Sequence, residues 1–155
     1  MGKGGKVFRG QFDHNMDNKG RVSLPARYRE GLRSRFGEER VVVTKYFEGC
    51  LIGYAVDEWL QFEKAIIGFN TFEKESRVIQ RSIIAASMEL ATDKQGRILI
   101  PTHLREYAAL DQQIVFQGLV NRFEIWSKER WLEMTVSPDE LSESAKRLAD
   151  NGVVF

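Results

Sequence analysis

The chain has a single cysteine, Cys50, two histidines, His14 and His103, and three prolines in 155 residues. One cysteine excludes an internal disulfide and fits a reducing compartment. Few prolines, with 43% hydrophobic and 29% charged residues, exclude a disordered chain and leave a globular one long enough to bury a core. Long apolar runs are missing as well. Stretches such as Ile83 to Ala86 fall far short of the roughly 20 residues that a membrane-spanning helix needs. The opening residues contain no apolar signal run, and Lys6 stands where a myristoylation pattern takes Ser or Thr. A cytoplasmic location without a membrane partner is therefore expected.

Catalytic equipment is equally scarce. No HExxH, CxxC, GxSxG or phosphate-binding glycine loop occurs. Neither histidine has a counterpart at the matching place of the internal repeat described below, so both read as structural or surface residues. Cys50 lacks a basic neighbour in sequence and reads as a buried or half-buried thiol. The expectation is a protein that is not an enzyme, with no catalytic residue, no metal ligand set and no cofactor.

An excess of one charge sign is also lacking, since the formal net charge is +1. The distribution is uneven, however. Residues 1 to 35 hold nine basic side chains against Asp13, Asp17 and Glu30, and the rest of the chain is net acidic. A local positive field of this kind suits either a solvated face or a phosphate backbone.

What the chain does have is a repeat. "DNKGRVSLPARYRE" from Asp17 to Glu30 returns as "DKQGRILIPTHLRE" from Asp93 to Glu106, with a constant offset of 76. The likeness continues downstream, where Val41 to Trp59 is echoed by Ile114 to Trp131. Two copies of this length are not a solenoid, which needs three or more shorter units. They indicate a fused pseudo-dimer.

Each half reads as alternating strand and helix. Phe12, His14 and Met16 alternate along a strand from Phe8, and Asp17-Asn-Lys-Gly20 is expected to form a hairpin turn returning along Arg21 to Leu24. Pro25 opens a helix that ends near Arg35, ahead of Gly37. Val41 to Thr44 and Cys50 to Tyr54 form a second hairpin, and Asp57 is expected to cap a helix carrying Trp59, Phe62 and Ile66. Thr71 to Ala86 reads as a connecting helix with Phe72, Ser76, Ile79 and Ile83 on one face, serving as a linker or a subunit contact. Ser137 caps a last helix, with Pro138 in its first turn, a stripe of Leu141, Ala145 and Leu148, and Gly152 as its stop. That stripe packs on the chain's own body or on a neighbour. Phe12, Tyr28 and Phe47 read as core or core-edge aromatics.

The chemistry that recurs is Asp-x-x-Gly-Arg, at Asp17/Arg21 and Asp93/Arg97. The aspartate orders the turn and pairs with the arginine across it, which aims a guanidinium suited to bidentate contact with phosphate or guanine. Doubled on a pseudo-two-fold, the motif makes a β-element reader of duplex DNA. Candidate DNA contacts are Arg9, Lys19, Arg21, Lys94 and Arg97, with Asp17, Gly20, Asp93 and Gly96 ordering the turns. Arg9, Lys19, Arg27 and Arg29 are expected around Arg21, but only Lys94 and Arg105 around Arg97, which predicts a more basic first copy.

"FRGQFDHNMDNKGRVSLPARYRE" with its echo "DKQGRILIP" resembles the MraZ family, and the similarity runs from Phe8 past Trp131. The resemblance implies an α+β fold, a double-split β-barrel of the AbrB/MazE/MraZ-like type built from two tandem pseudo-symmetric halves with flanking helices. It also implies a sequence-specific transcriptional regulator that is nucleoid-associated and assembles as a ring-shaped homo-oligomer. Such a ring would bind repeated boxes in the promoter of the division and cell-wall gene cluster, its own gene included. An oligomeric, antitoxin-like interaction module without DNA specificity is the alternative. Residues 8–83 are expected to form the first half with its linker helix, 84–136 the second, and 137–155 the C-terminal helix and tail. Family members begin Met-Phe-Arg-Gly, whereas Val7 precedes Phe8 here, so residues 1–7 read as a leader, one explanation being a remnant of expression.

Overall fold

The computed structural model of the protein describes residues 7–155, and the lysines at positions 3 and 6 together with most of the expected leader lie outside them. The described chain is α+β. Eight strands are arranged as a six-stranded antiparallel sheet and a separate two-stranded ribbon.

Local pattern accounts for the elements. β1 (Gln11–Asn15) alternates exposed and half-buried residues, as a strand with one face on the core must. β2 (Arg21–Ser23) follows the first turn, and Pro25 then introduces α1 (Ala26–Phe36). Gly37, at φ 77°, ends that helix in the left-handed conformation. β3 (Arg40–Lys45) and β4 (Leu51–Ala55) pair as the expected hairpin. In β3, Val41, Val42, Val43 and Thr44 are all buried, the continuous run of a strand covered on both faces. α2 (Val56–Ile67) leaves β4 directly. Its N-cap is Ala55, without a side-chain cap, and Asp57 lies in the first turn instead of capping it, because the helix starts two residues before the position that Asp57 would need.

The connecting segment is less regular than its spacing suggests. α3 covers only Lys74–Ile79, and the next turn, Gln80–Ile84, widens so that the Ala85 amide donates to the Gln80 carbonyl, five residues back. Phe72 stays outside both and is exposed. The second half repeats the plan with β5 (Met88–Ala91), β6 (Arg97–Leu99), α4 (Thr102–Tyr107), β7 (Gln113–Gly118), β8 (Phe123–Ser127) and α5 (Lys128–Glu133). α6 (Pro138–Ala149) follows, with Ser137 accepting from the Glu140 amide as the expected cap.

Strand pairing interleaves the halves. The sheet order is β1-β7-β8-β4-β3-β5, and β2 pairs with β6. The expected β1–β2 hairpin is therefore corrected: the turn forms, but the strands beyond it part. β1 is taken by β7 of the other half, while Val22 and Ile98, partners in the ribbon, are both fully buried. Cross-half pairing thus buries an apolar face that a bare hairpin would leave wet. The sheet ends at β1 and β5 without a strand pairing that joins them.

The main core lies between the sheet's inner face, the ribbon and helices α1 and α4, where Tyr28, Leu32, Leu104, Phe8, Phe116 and Phe123 are buried together. Tyr28 donates its hydroxyl to the Gly10 carbonyl at 2.8 Å, and its ring lies edge-on to Phe8. Two smaller clusters cover the other face at pseudo-equivalent places: Val42 with Trp59 and Ile83, and Val115 with Cys50 and Trp126. Gly53 is required in β4, since a Cβ there would lie 2.1 Å from the Phe123 ring. Phe47 departs from expectation. It is 57% exposed and stacks on Tyr46 in a tight connection where Glu48 has positive φ, so the hairpin's geometry turns it outward.

Candidate nucleic-acid interface

The two Asp-x-x-Gly-Arg turns repeat atom for atom. Asp17 Oδ1 accepts from the amides of Lys19 (3.0 Å) and Arg21 (2.9 Å), and Oδ2 accepts from Arg21 Nε at 2.7 Å. Asp93 Oδ1 accepts from the amides of Gln95 and Arg97, both at 2.9 Å, and Oδ2 from Arg97 Nε at 3.0 Å. Backbone bonds close each turn, from the Asp17 amide to the Arg21 carbonyl and from the Asp93 amide to the Arg97 carbonyl. Gly20 and Gly96 take φ of 92° and 77°, a region that costs a glycine little.

These bonds set the carboxyl acidity. The Arg21 amide, followed by its guanidinium and the Lys19 amide, holds the Asp17 carboxyl down to about 2 against an opposing effect of desolvation. Asp93 is lowered in the same way, chiefly by the Arg97 amide. Both carboxylates stay charged and keep hold of Nε, which turns the rest of each guanidinium outward. The terminal nitrogens of Arg21 have no partner among the described residues, and those of Arg97 have only Gln95 Oε1 at 3.4 Å.

Ribbon register places the two guanidinium groups on one face. Val22 pairs with Ile98 at the centre, Arg21 faces Leu99 and Ser23 faces Arg97. Side chains alternate along a strand, so Val22 and Ile98 point into the core while Arg21, Ser23, Arg97 and Leu99 point away from it. Arg21 and Arg97 are diagonal, two residues along and one strand across, or about 8 Å between Cα atoms from standard strand dimensions.

Two residues that sequence reading placed beside the turns as charges, but not among the site residues, hold the turns together. The Arg105 guanidinium lies against Gly20, where a Cβ would come within 2.6 Å of its Nε, and the Arg29 guanidinium lies against Gly96 at the same 2.6 Å. Arg29 Nε donates to the Leu24 carbonyl at 3.0 Å and Arg105 Nε to the Ile100 carbonyl at 2.9 Å. The Leu24 amide donates to the Gly96 carbonyl and the Ile100 amide to the Gly20 carbonyl. Each turn is thus braced by an arginine of the other half. The sequence signals were their nearness to the turns of their own halves and the repeat's offset of 76 that they share; neither carried the exchange.

This exchange corrects the expected crowding of charge around Arg21. Arg29 sits at the second turn, where Arg97 and Lys94 also lie, and Arg105 joins Arg21 and Lys19 at the first. Arg29 is partly offset by Glu39 at 4.0 Å, a carboxylate that also binds Arg33. Arg9 is not brought to the ribbon. It follows Phe8, which bridges to Val120 at the far end of β7, whereas the first turn meets β7's near end through the Met16 amide and the Gln112 carbonyl.

The two histidines, read from the sequence as structural or surface residues, and the cysteine, read as a buried or half-buried thiol, have the following surroundings. The His103 ring lies 3.0 Å from the Ala86 carbonyl, and His14 packs edge-on against Phe116. Burial, helped by Glu124 and Glu48, pushes the Cys50 thiol up to about 12. No helix among the described residues is long and apolar enough to cross a membrane.

Comparison with known proteins matches the family described as "MraZ protein, putative antitoxin-like" twice, over residues 7–82 and 83–152. A protein of Caldanaerobacter subterraneus subsp. tengcongensis named "Transcriptional regulator MraZ" is 42% identical over 142 residues, covering 92% of this chain and 96% of the relative. Proteins of the same name from Desulforamulus reducens and Lachnoclostridium phytofermentans are 41% and 40% identical, over 94% and 96% of this chain and 96% and 100% of their own lengths. With both halves matched in tandem and the repeat geometry intact in each, the chain belongs to the MraZ family.

Proposed function

We propose that the protein is a sequence-specific DNA-binding transcriptional regulator that inserts the β2–β6 ribbon face into the DNA major groove. The observation that carries this reading is the pair of carboxylate-held arginines, Arg21 and Arg97, on one outward face with their Cα atoms about 8 Å apart. A major groove about 12 Å wide admits a two-stranded ribbon. In this reading Arg21 and Arg97 contact guanine edges or phosphates, while Lys19, Lys94, Arg29 and Arg105 supply attraction around the turns. Arg9, at the other end of β1, contacts the backbone of flanking DNA. Between the arginines, Ser23 offers a hydroxyl and Leu99, 54% exposed, an apolar surface that suits a thymine methyl. The open sheet and its ribbon are read as the family's double-split barrel, organised as halves 8–83 and 84–136 with 137–155 appended.

The relatives' name, transcriptional regulator, supports the same class of function. The finer reading is a ring-shaped homo-oligomer, nucleoid-associated in the cytoplasm, that binds repeated boxes in the promoter of the division and cell-wall cluster, including its own gene. One small face per subunit makes tight binding depend on several faces meeting several boxes, through effective concentration.

The test is a gel shift on the protein's own upstream DNA with Arg21→Ala and Arg97→Ala, alongside circular dichroism. Each substitution should weaken specific binding by about 1–3 kcal/mol, with the fold retained because an exposed ion pair contributes about 1 kcal/mol or less. Full affinity in both variants, or specific binding absent from the unaltered protein, would leave the antitoxin-like interaction module as the better account.

A further inference from the structure

The widened turn after α3 borders a cleft. The buried Thr44 hydroxyl donates to the Ile83 carbonyl at 2.6 Å, which fixes that turn over β3, and turns of this kind are frequent at functional sites. Beside it Tyr54, Trp59, Phe62 and Ile66 wall a cavity of about 210 Å³. A second cavity, of about 270 Å³, is lined by Lys45, Val78, Ser82 and Tyr107. Phe47 and Ile79 line both. Shared walls make the two compartments of one cleft, and together they fall within the size range of small-molecule sites, about 300–1,000 Å³.

The two ends differ in chemistry. At the inner end the Tyr54 and Phe62 rings lie 13° from parallel with centroids 6.0 Å apart, and Trp59 tilts against Phe62. Phe47, stacked on Tyr46, closes one side while remaining 57% exposed. Walls of this make-up suit the faces and edges of a flat aromatic guest. At the outer end stands Lys45, the one charged side chain among the lining residues. Its ammonium lies 5.3 Å from the Tyr107 ring centroid and has no carboxylate partner among the described residues, so its N–H donors are left for water or an anion. Aromatic walls alone would also suit a cation. Here Lys45 repels one and already occupies the Tyr107 face.

The geometry points to a binding site for a small aromatic monoanion, its ring system against Phe47, Tyr54 and Phe62 and its acidic group on Lys45. The site lies on the sheet face turned away from the main core and uses no ribbon residue, so it stands apart from DNA binding.

Two dyes test it by fluorescence titration of the full-length protein: 1-anilinonaphthalene-8-sulfonate, an aromatic monoanion, and N-phenyl-1-naphthylamine, the same ring system without the charge. The sulfonate should bind saturably at one site per chain. Lys45→Met should weaken it about tenfold, the worth of a hydrogen bond to a charged group, and leave the neutral dye unchanged, whereas Lys45→Arg should keep both. Phe47→Ala, at an exposed wall, should weaken both dyes about fivefold. Leu141→Glu is the control for dye on other apolar surface, since the stripe of α6 is also in solvent and Leu141 is 63% exposed; it should change neither. Circular dichroism of each variant checks the fold. Unsaturable binding, a Phe47→Ala variant that binds as the unaltered protein does, or loss in Leu141→Glu would overturn the site. An equal response of both dyes to Lys45→Met would overturn the anionic class of the ligand.

Discussion

Replacing Gly20 by alanine separates the backbone of the first turn from its brace. At φ 92° an L-residue is strained by about 1–2 kcal/mol. For a chain of this size each kcal/mol lowers the melting temperature by about 2–4 °C, so a drop of about 2–8 °C is expected. The new Cβ would also lie 2.6 Å from Arg105 Nε and 2.7 Å from its Cζ. The far end of a flexible side chain can swing aside at small cost to stability, but it then leaves the turn that it braces. Gly37→Ala is the control, because Gly37 has φ 77° and open space where its Cβ would go. Both variants should lose similar stability, measured by thermal melting. Only Gly20→Ala should lose DNA affinity, by tenfold or more in a titration on the upstream duplex. In an Arg105→Ala background the loss caused by Gly20→Ala should largely vanish, since coupling of this kind is confined to residues in contact. Equal DNA affinity for Gly20→Ala and Gly37→Ala would refute the brace as a determinant of binding.

Three further outcomes follow from the same geometry. If each engaged subunit neutralises two or three phosphates, log K should fall with log salt at a slope of about −2 to −3 per subunit, and a flat response would remove the phosphate contacts. A carboxyl whose folded pKa is depressed stabilises the fold fully above its unfolded value, near 3.9, and loses that contribution as pH falls through the folded value. Asp17 should accordingly stay ionised until about pH 2 in a carboxyl carbon-13 titration, and Asp17→Asn should flatten the acid side of the stability profile. Cys50, fully buried and with its thiol pushed up to about 12, should react with a thiol reagent at pH 8 only at the rate of chain opening, so labelling should accelerate with denaturant.

Legibility in the sequence followed the range of the interactions. The turns, the stop of α1 at Gly37, the β3–β4 hairpin and the Ser137 cap were all readable, because each is decided within a few residues by glycine, proline or a hydroxyl. Partner choice was not. Phe12, His14 and Met16 show that β1 is a strand with one face inward, but alternation carries no label for the strand beside it. The nearest candidate, β2, loses to β7 because closing the core requires both halves. Asp57 illustrates the same limit at smaller scale: its identity suits a cap, and a start of α2 two residues earlier, at Val56, leaves it inside the first turn. The regular spacing from Phe72 to Ile83 gave no sign of the widened turn after Ile79. Within the site, Arg21 and Arg97 were legible from the motif, whereas the bracing by Arg29 and Arg105 became visible only once the two halves crossed.

That crossing gives a physical reason for carrying the turn twice in one chain. The Gly20 turn is braced by Arg105 and the Gly96 turn by Arg29, so neither half can present its guanidinium without the other. A homodimer could supply the same interlock, but its two faces would be identical by symmetry. Fusion lets them diverge while the interlock is kept. Ser23 faces outward where its repeat partner is the exposed Leu99. Arg29 is partly offset by Glu39, whereas Arg105 donates to Thr102 Oγ1 at 3.0 Å and has no carboxylate partner among the described residues. Tyr28 fills the core where Leu104 stands in the second half. If the ribbon reads DNA as proposed, a hydroxyl beside one arginine and an isobutyl group beside the other call for two different half-sites, so the box best suited to this face is directional, and reversing its middle while keeping its ends should cost affinity.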